Sequence, residues 1–385
     1  MALNSCNKVK RGKLQPSLDP GYRLGHTENM QIGIIGLPHT GKTTLFQALA
    51  GGEKSVSAFS SGKLEIHTAV AEVPDSRVDR LREIFQPKKT IYAKVTFADI
   101  AGLDKGISKK GLPGAFVNLL GQMDAFVHVL RAFDNPAVAH SEGSINPLRD
   151  LALLDTEFLL QDLTSVERRY DRLLDGLKKG AIDREQALKE KQGLETMKSA
   201  LEEERPLRDL GLSDETIKPF KGYGFLSLKP VLVVVNTGDD GQGMDIPYKH
   251  QDSAVVQLSA RLEKEISELS PDDAAMFMEE YDITELSRSR VLQLSYDLLG
   301  LHSFFTVGED EVRAWTISRG ATALEAAATV HSDLAKGFIR AEVVGYEELI
   351  ELGGLTQVKN KGKLRLEGKE YVVQDGEIVH IRHSS

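Results

Sequence analysis

At 385 residues the chain is long for one domain, and at roughly 150 residues per domain it predicts two or three. Hydrophobic residues at 41% and charged residues at 27% are globular proportions, which excludes wholesale disorder and collagen-like or mucin-like chains. Lysine and arginine number 48 against 57 acids, a formal charge of −9, which argues against coating duplex DNA by bulk charge and leaves only local basic patches for nucleic acid. The first 29 residues carry Lys8, Lys10, Arg11 and Lys13 without an apolar core or a small-residue cleavage site, so no secretory signal is expected. They read as a loose N-terminal extension ahead of Met30. The single cysteine, Cys6, cannot form an internal disulfide, and no Cys/His cluster has zinc-site spacing. The longest apolar run considered, Val231-Leu-Val-Val-Val235, falls far short of the roughly 18 residues that cross a bilayer. A cytoplasmic chain without a membrane partner is expected.

Gln31-Ile-Gly-Ile-Ile-Gly36 reads as a buried strand. It runs into Gly36-Leu37-Pro38-His39-Thr40-Gly41-Lys42-Thr43-Thr44, a full G-x-x-x-x-G-K-[ST] match, and Leu45 to Ala50 follow with helical spacing. Glycines let the backbone curl so that its N–H groups point at phosphate oxygens, and the helix start adds its positive end. Lys42 is placed to reach the β- and γ-phosphates, and Thr43 to offer a hydroxyl to Mg²⁺. A glycine turn that merely resembles this loop is the plain alternative, and the strand–loop–helix context argues against it. Ala93 to Asp99 reads as a strand ending on a carboxylate, followed by Asp99-Ile-Ala-Gly102 about 55 residues after Thr43. Asp99 can hold Mg²⁺ through water, and the Gly102 N–H can sense a γ-phosphate.

Phe126 to Arg131, Pro230 to Asn236 and Val255 to Ser259 are further strand candidates. The last two open Asn236-Thr237-Gly-Asp239 and Ser259-Ala260-Arg261, the places where GTPases hold the base with N-K-x-D and S-A-K. Alternating strands and helices, with the phosphate loop at the first turn, predict an α/β P-loop NTPase fold with a doubly wound, mostly parallel sheet.

The chain resembles the Obg-like ATPases of the YchF type, a branch of the translation-associated P-loop GTPases. The resemblance rests on Ile34 to Lys42, Val73-Pro-Asp-Ser-Arg77, Asp99-Ile-Ala-Gly-Leu103, Asp124 to Arg131, Asp155-Thr-Glu-Phe158, Glu311-Val-Arg-Ala-Trp-Thr316, Lys336 to Glu342 and Tyr371 to Gly376. It implies a nucleotide-binding domain over 30–150 and 223–300, a helical hairpin inserted at 151–222, and a C-terminal TGS domain of ubiquitin-like β-grasp fold at 301–385. It also implies Mg²⁺ as cofactor, and the ribosome, through its large subunit, as partner.

Independently, Leu151, Leu154, Phe158, Leu163, Val166, Tyr170, Leu173 and Leu177 fall near a 3/4 alternation, predicting a long amphipathic helix. Arg184 to Glu204 reads as a second helix whose apolar side carries Leu188, Leu194, Met197 and Leu201. A packed cap on the sheet and an arm for a large partner, with Lys178, Lys179, Lys189 and Lys191 near its tip, both fit this pattern. In the C-terminal segment, Val312 to Ile317 reads as a strand and Ala321 to Leu334 as one alanine-rich helix. Tyr371-Val-Val and Ile378 to Ile381 read as strands flanking an Asp375-Gly376 turn. Trp315 reads as core rather than as a base-stacking platform.

Four departures from the family pattern fall on the site. His39 stands where the family has an Asn that helps bind a monovalent ion, which puts potassium stimulation in doubt; it would hydrogen-bond a phosphate or face solvent. Leu103 follows D-x-x-G where a water-positioning glutamine stands in Ras-like enzymes, and the family shares this replacement. Asp239 stands where the family carries a Glu that turns away while Asn reads adenine; a carboxylate on that edge suits guanine and disfavours ATP by a few kcal/mol. Ala58-Phe-Ser-Ser61 replaces the family's first switch, so that Ser60 or Ser61 would have to supply the Mg²⁺-sensing hydroxyl, and Gly111-Leu-Pro-Gly114 replaces a glycine- and acid-rich second switch. The sequence therefore predicts slow Mg²⁺-dependent hydrolysis, favouring ATP and leaving GTP open, in a ribosome-associated switch whose RNA contacts are local. The alternatives are a nucleotide-binding regulatory module with little or no hydrolysis and a GTP-specific GTPase. No phosphoryl-acceptor motif supports a kinase.

Overall fold

The computed structural model describes residues 30–51, 57–61, 64–100, 111–180, 183–239, 243–280, 283 and 286–384. Its principal elements run β1 (Gln31–Ile35), α1 (Lys42–Ala50), β2 (Ser57–Ser61), β3 (Leu64–Glu72), α2 (Ser76–Phe85), β4 (Lys89–Ile91), β5 (Lys94–Ile100), α3 (Gly114–Gly121) and β6 (Ala125–Ala132). There follow α4 (Pro147–Lys178), α5 (Arg184–Glu202), β7 (Val231–Thr237), β8 (Ser253–Leu258), α6 (Ala260–Ser267), α7 (Ser287–Leu298), β9 (Leu301–Val307) and β10 (Glu311–Ser318). The chain closes with α8 (Ala323–Val330), α9 (Ser332–Lys336), β11 (Phe338–Val344), β12 (Arg365–Glu367) and β13 (Ile378–His383). Contacts divide them into two units, one of Gln31–Ala69 with Phe97–Leu298, the other of Val70–Thr96 with Leu299–Ser385.

In the first unit, β7 is buried at every position and β6 at all but its last, the mark of parallel strands covered on both faces. The sheet order is β2-β3-β5-β1-β6-β7-β8, with β1, β6, β7 and β8 running parallel and β2 and β3 forming an antiparallel edge pair. On one face, Phe116 and Leu120 of α3 and Leu151, Leu154 and Phe158 of α4 pack against Ile35, Ile100, Phe126 and Val233. Helices α1, α6 and α7 pack together elsewhere in this unit, with α7 against β6, β7 and β8. The doubly wound α/β architecture read from the sequence is the one observed.

Helix α4 does two jobs. It starts at Pro147, four residues before the predicted Leu151, because the Asn146 side chain accepts the Arg149 N–H at 3.1 Å and Pro147 suits a first turn. Its first turns belong to the sheet core. Its later residues Val166 and Leu173 build a separate core with Ala187, Leu194, Met197 and Leu201 of α5 and with Leu207, Phe220 and Phe225 of the return segment. The cap and the arm are thus one helix, about 48 Å long. Leu188, predicted to face inward, is 51% exposed, and Ala187 takes the inward position one residue earlier. The buried Asp162 carboxylate accepts the Leu226 and Ser227 N–H groups at 2.8 and 2.7 Å and fixes where the chain returns to β7. Burial raises its carboxyl to about 6.

The second unit carries the sheet β12-β11-β13-β9-β10-β4. β9 and β10 form a hairpin, β13 runs parallel to β9 and antiparallel to β11, and α8 covers one face through Ala323, Ala326 and Ala327. This is the ubiquitin-like arrangement expected of 301–385, with one addition. Residues 70–96, assigned by sequence to the nucleotide domain within 30–150, pack here: β4 pairs in parallel with β10, Glu311 opposite Lys89. Two local expectations also differ. His331 is extended at φ −166°, which splits the single predicted helix 321–334 into α8 and α9. Tyr371-Val-Val forms no strand, and Val372 makes only an isolated bridge to Thr322. Trp315 is half-buried, stacks on Phe304 with centroids 6.4 Å apart, and donates its indole N–H to Thr306 at 2.9 Å.

Arg77 locks the added segment in place. Its guanidinium donates to Asp75 through Nε and Nη2 at 2.9 and 2.8 Å and to Asp375 through Nη1 and Nη2 at 2.9 and 3.2 Å, and lies 5.1 Å from the centre of the Phe305 ring. Gly376, at φ 82°, leaves room for it, since a Cβ there would sit 2.9 Å from Nη1. Among the described residues no helix is long and apolar enough to cross a membrane. Arg77→Ala is expected to destabilise this unit by about 1–2 kcal/mol, less than a fully buried pair because the site is partly open. Chemical denaturation, with amide exchange read across Ser76–Phe85, checks this. An unchanged α2 would show that Val78 and Leu81, both fully buried, hold it unaided.

Candidate nucleotide-binding site

The loop after β1 is bent by two glycines that no other residue could replace without displacement. Gly36 has φ 144°, and a Cβ on it would lie 2.4 Å from the Val129 carbonyl oxygen. Gly41 has φ 93°, and its Cβ would lie 2.2 Å from Asn236 Nδ2. His39, at φ 65°, is exposed. Leu37 is buried, Pro38 is half-buried, and Thr40 is buried with its hydroxyl donating to the Leu37 carbonyl at 3.1 Å.

Helix α1 begins at Lys42 with no side-chain cap and no acid in its first turn. Its N-terminal N–H groups and its positive dipole end therefore face the loop without an anionic partner from the helix itself. Lys42 Nζ donates to the Gly36 and Leu37 carbonyl oxygens at 3.0 and 2.8 Å. Thr43 Oγ1 donates to Asp99 Oδ2 at 2.8 Å, and Asp99 is 3% exposed near the end of β5. Thr44 follows, half-buried in the same turn.

Two loops from neighbouring strands close on this one. Asn236, buried at the end of β7, donates from Nδ2 to the Thr40 carbonyl and accepts the Ala260 N–H on Oδ1, both at 2.9 Å. Thr237 beside it is buried. Asp239 Oδ1 accepts from the Ser259 hydroxyl at 2.8 Å, and its Oδ2 accepts from Arg261 Nη2. Ser259 also caps α6. The residues read from the sequence as phosphate-facing and base-facing thus gather at the C-terminal ends of β1, β5, β7 and β8, where doubly wound sheets place their ligand crevice.

Gly102 and Leu103 lie outside the described residues. Ser60 and Ser61 fall in the edge strand β2, and β3 intervenes between that strand and the one carrying Asp99. Gly111, at φ 67°, leads through the buried Leu112 and through Pro113 into α3. The Leu112 N–H is accepted by Glu157 of α4.

The sequence reading gave no role to two residues. Arg261 stands where a lysine would complete S-A-K, and its pairing with Asp239 joins segments 22 residues apart. His128, fully buried in β6 opposite Ile35, gave no local signal. Burial, with Lys42 nearby, lowers its imidazole to about 3, so it stays neutral and adds no positive charge to the site.

Burial also lowers the Lys42 ammonium from 10.5 to about 8, against the opposing pull of Asp99. A phosphate ligand needs the charged form. Affinity for nucleotide should therefore hold steady below about pH 7 and fall by about tenfold per unit above about pH 8. The sign for the ligand-free protein is opposite: the folded state binds fewer protons than the unfolded one between about 8 and 10.5, so stability gains as pH rises through that window. Titration of a fluorescent nucleotide across this range checks the first trend, and an affinity flat to about pH 9.5 would count against it.

Residues 31–162 match the family described as 50S ribosome-binding GTPase, and residues 301–384 match the C-terminal family of YchF GTPases, described as a protein of unknown function (DUF933). The chain is 40% identical over 366 residues to the ribosome-binding ATPase YchF of Bacillus subtilis (strain 168), covering 92% of this chain and 99% of that one. It is 41% identical over 361 residues to the ribosome-binding ATPase YchF of Haemophilus influenzae, covering 91% and 98%. The solved structure of the Schizosaccharomyces pombe YchF GTPase superposes with a TM-score of 0.82 at 29% identity, covering 94% of this chain and 99% of that chain. With its phosphate loop, inserted hairpin and C-terminal β-grasp unit all in place, this chain belongs to the YchF family.

Proposed function

We propose that this chain is a slow, Mg²⁺-dependent nucleoside triphosphatase that favours ATP and acts as a nucleotide switch on the ribosome, in the cytoplasm. One observation carries the reading: Lys42, Thr43 and Asp99 converge beneath the uncapped start of α1, with Thr43 and Asp99 in hydrogen-bond contact. The loop N–H groups would cradle the α- and β-phosphates. Lys42, now resting on two loop carbonyls, would exchange them for β- and γ-phosphate oxygens. A hydroxyl and a carboxylate are hard oxygen donors that suit Mg²⁺, which keeps several waters and takes few protein ligands. Among the described residues no group of three or more His, Cys, Asp or Glu is placed to hold a metal ion. When bound, that ion supplies charge neutralisation on the β- and γ-oxygens. Thr43 would hold it directly and Asp99 through water, and the Gly102 N–H would sense the γ-phosphate.

Slowness follows from chemistry at one position. The Leu103 side chain offers no hydrogen bond to an attacking water, so orientation has to come from another group or from a partner. The same residue favours the second reading, a nucleotide-binding module with little hydrolysis. Ribosome association rests on the relatives, which carry ribosome binding in their names, and the large subunit on the matched 50S-binding family. A net charge of −9 keeps any RNA contact local. In a phosphate-release assay with Mg²⁺ and ATP, Lys42→Ala should cut turnover by at least about a hundredfold. Turnover that survives intact would sink the assignment. Wild-type protein that binds ATP and co-sediments with ribosomes in a nucleotide-dependent way, yet releases no phosphate, would select the second reading.

A further inference from the structure

The Asp239 carboxylate is the group by which a purine's Watson–Crick edge would be read. To read guanine it must turn its oxygens to N1–H and the C2 amine. In this structure both oxygens already have partners within the protein: the Ser259 hydroxyl on Oδ1 and the Arg261 guanidinium on Oδ2. Arg261 sits in the first turn of α6, directly after Ala260, whose N–H fixes Asn236. A cation in the first turn of a helix meets the positive end of the dipole and needs an acidic neighbour to sit there comfortably. Asp239 provides one, and Glu265, one turn on, lies 3.6 Å from Nε. The pair is open to solvent, with the Arg261 side chain 70% exposed and that of Asp239 40% exposed.

We propose that Arg261 sets the base preference of this site, by holding the Asp239 carboxylate in an ion pair that offsets its charge, leaves guanine a weaker acceptor and spares the adenine N1 lone pair an uncompensated negative charge. The proposal rests on the nucleotidase reading above and names its substrate as an adenine nucleotide. It also resolves the tension in the loop sequence: Asp239 is a guanine-reading residue only when its charge is available.

The test is a set of four proteins, full-length throughout: wild type, Arg261→Ala, Asp239→Asn and the double variant. Each is titrated with fluorescent ATP and GTP analogues in Mg²⁺, and the ratio of the two Kd values is read. An exposed pair is a modest constraint, so Arg261→Ala should move the ratio toward GTP by about fivefold. In the Asp239→Asn background the same change should move it by less than about twofold, because no charge is left to release. A ratio unmoved by Arg261→Ala overturns the proposal. So does an equal shift in both backgrounds, which would mean that the arginine acts without the carboxylate. Wild-type preference for GTP by about tenfold also overturns it while leaving the nucleotidase reading standing. Failure of wild type to bind either nucleotide overturns both.

Discussion

The candidate site is held together by one buried carboxamide. Asn236 donates to the phosphate loop at Thr40 and accepts from the base-side loop at Ala260, so a single planar group sets the separation of two segments that no strand pairing connects. Its burial makes each bond costly to lose, since a stranded amide or carbonyl in that position would have no water to turn to. The close approach also explains why Gly41 admits no side chain: the carboxamide fills the place a Cβ would take. Much of the rest follows. With the loop pinned from behind, the start of α1 can stay uncapped and presented, and Thr43 is brought to Asp99 on the neighbouring strand.

Electrostatics in this centre are arranged so that little charge is spent before a ligand arrives. His128 is kept neutral beneath Lys42, and the lysine rests on carbonyls rather than on a carboxylate. Asp99 contacts a hydroxyl, a partner that cedes its place to a cation more readily than a guanidinium would. At the base end the pattern is reversed, and Asp239 is already paired with a cation. The phosphate end therefore awaits a ligand, and the base end is set beforehand.

What the sequence disclosed and what it withheld divide along contact range. The phosphate loop was legible because nine consecutive residues carry its geometry, with Gly36 and Gly41 at positive φ and Lys42 directly after. The hairpin was legible from periodicity, although Leu188 shows how a 3/4 pattern can be read one residue out of phase when alanine takes the inner position. Residues 70–96 were assigned by chain order. Their membership of the C-terminal unit depends on pairing 222 residues away, between Lys89 and Glu311, and on Arg77 reaching Asp375. The break at His331 turns on one extended residue, which alanine-rich neighbours hid. Arg261 was visible as a letter, but its meaning lay in a carboxylate from another strand's loop.

Helix α4 gives the inserted arm a mechanical character. Its root is wedged into the sheet core by Leu154 and Phe158, and its far turns carry the hairpin's own apolar core, with no break between them. Such a rod behaves as a lever whose fulcrum lies in the sheet. From Phe158 to Lys178 it extends about 30 Å, so a tilt of about 5° at the root sweeps the tip by about 2.5 Å. Glu157, on the turn next to the fulcrum, accepts the Leu112 N–H just ahead of α3. A rearrangement at the root too small to disturb the packing of the sheet would thereby be magnified at the far end of the hairpin.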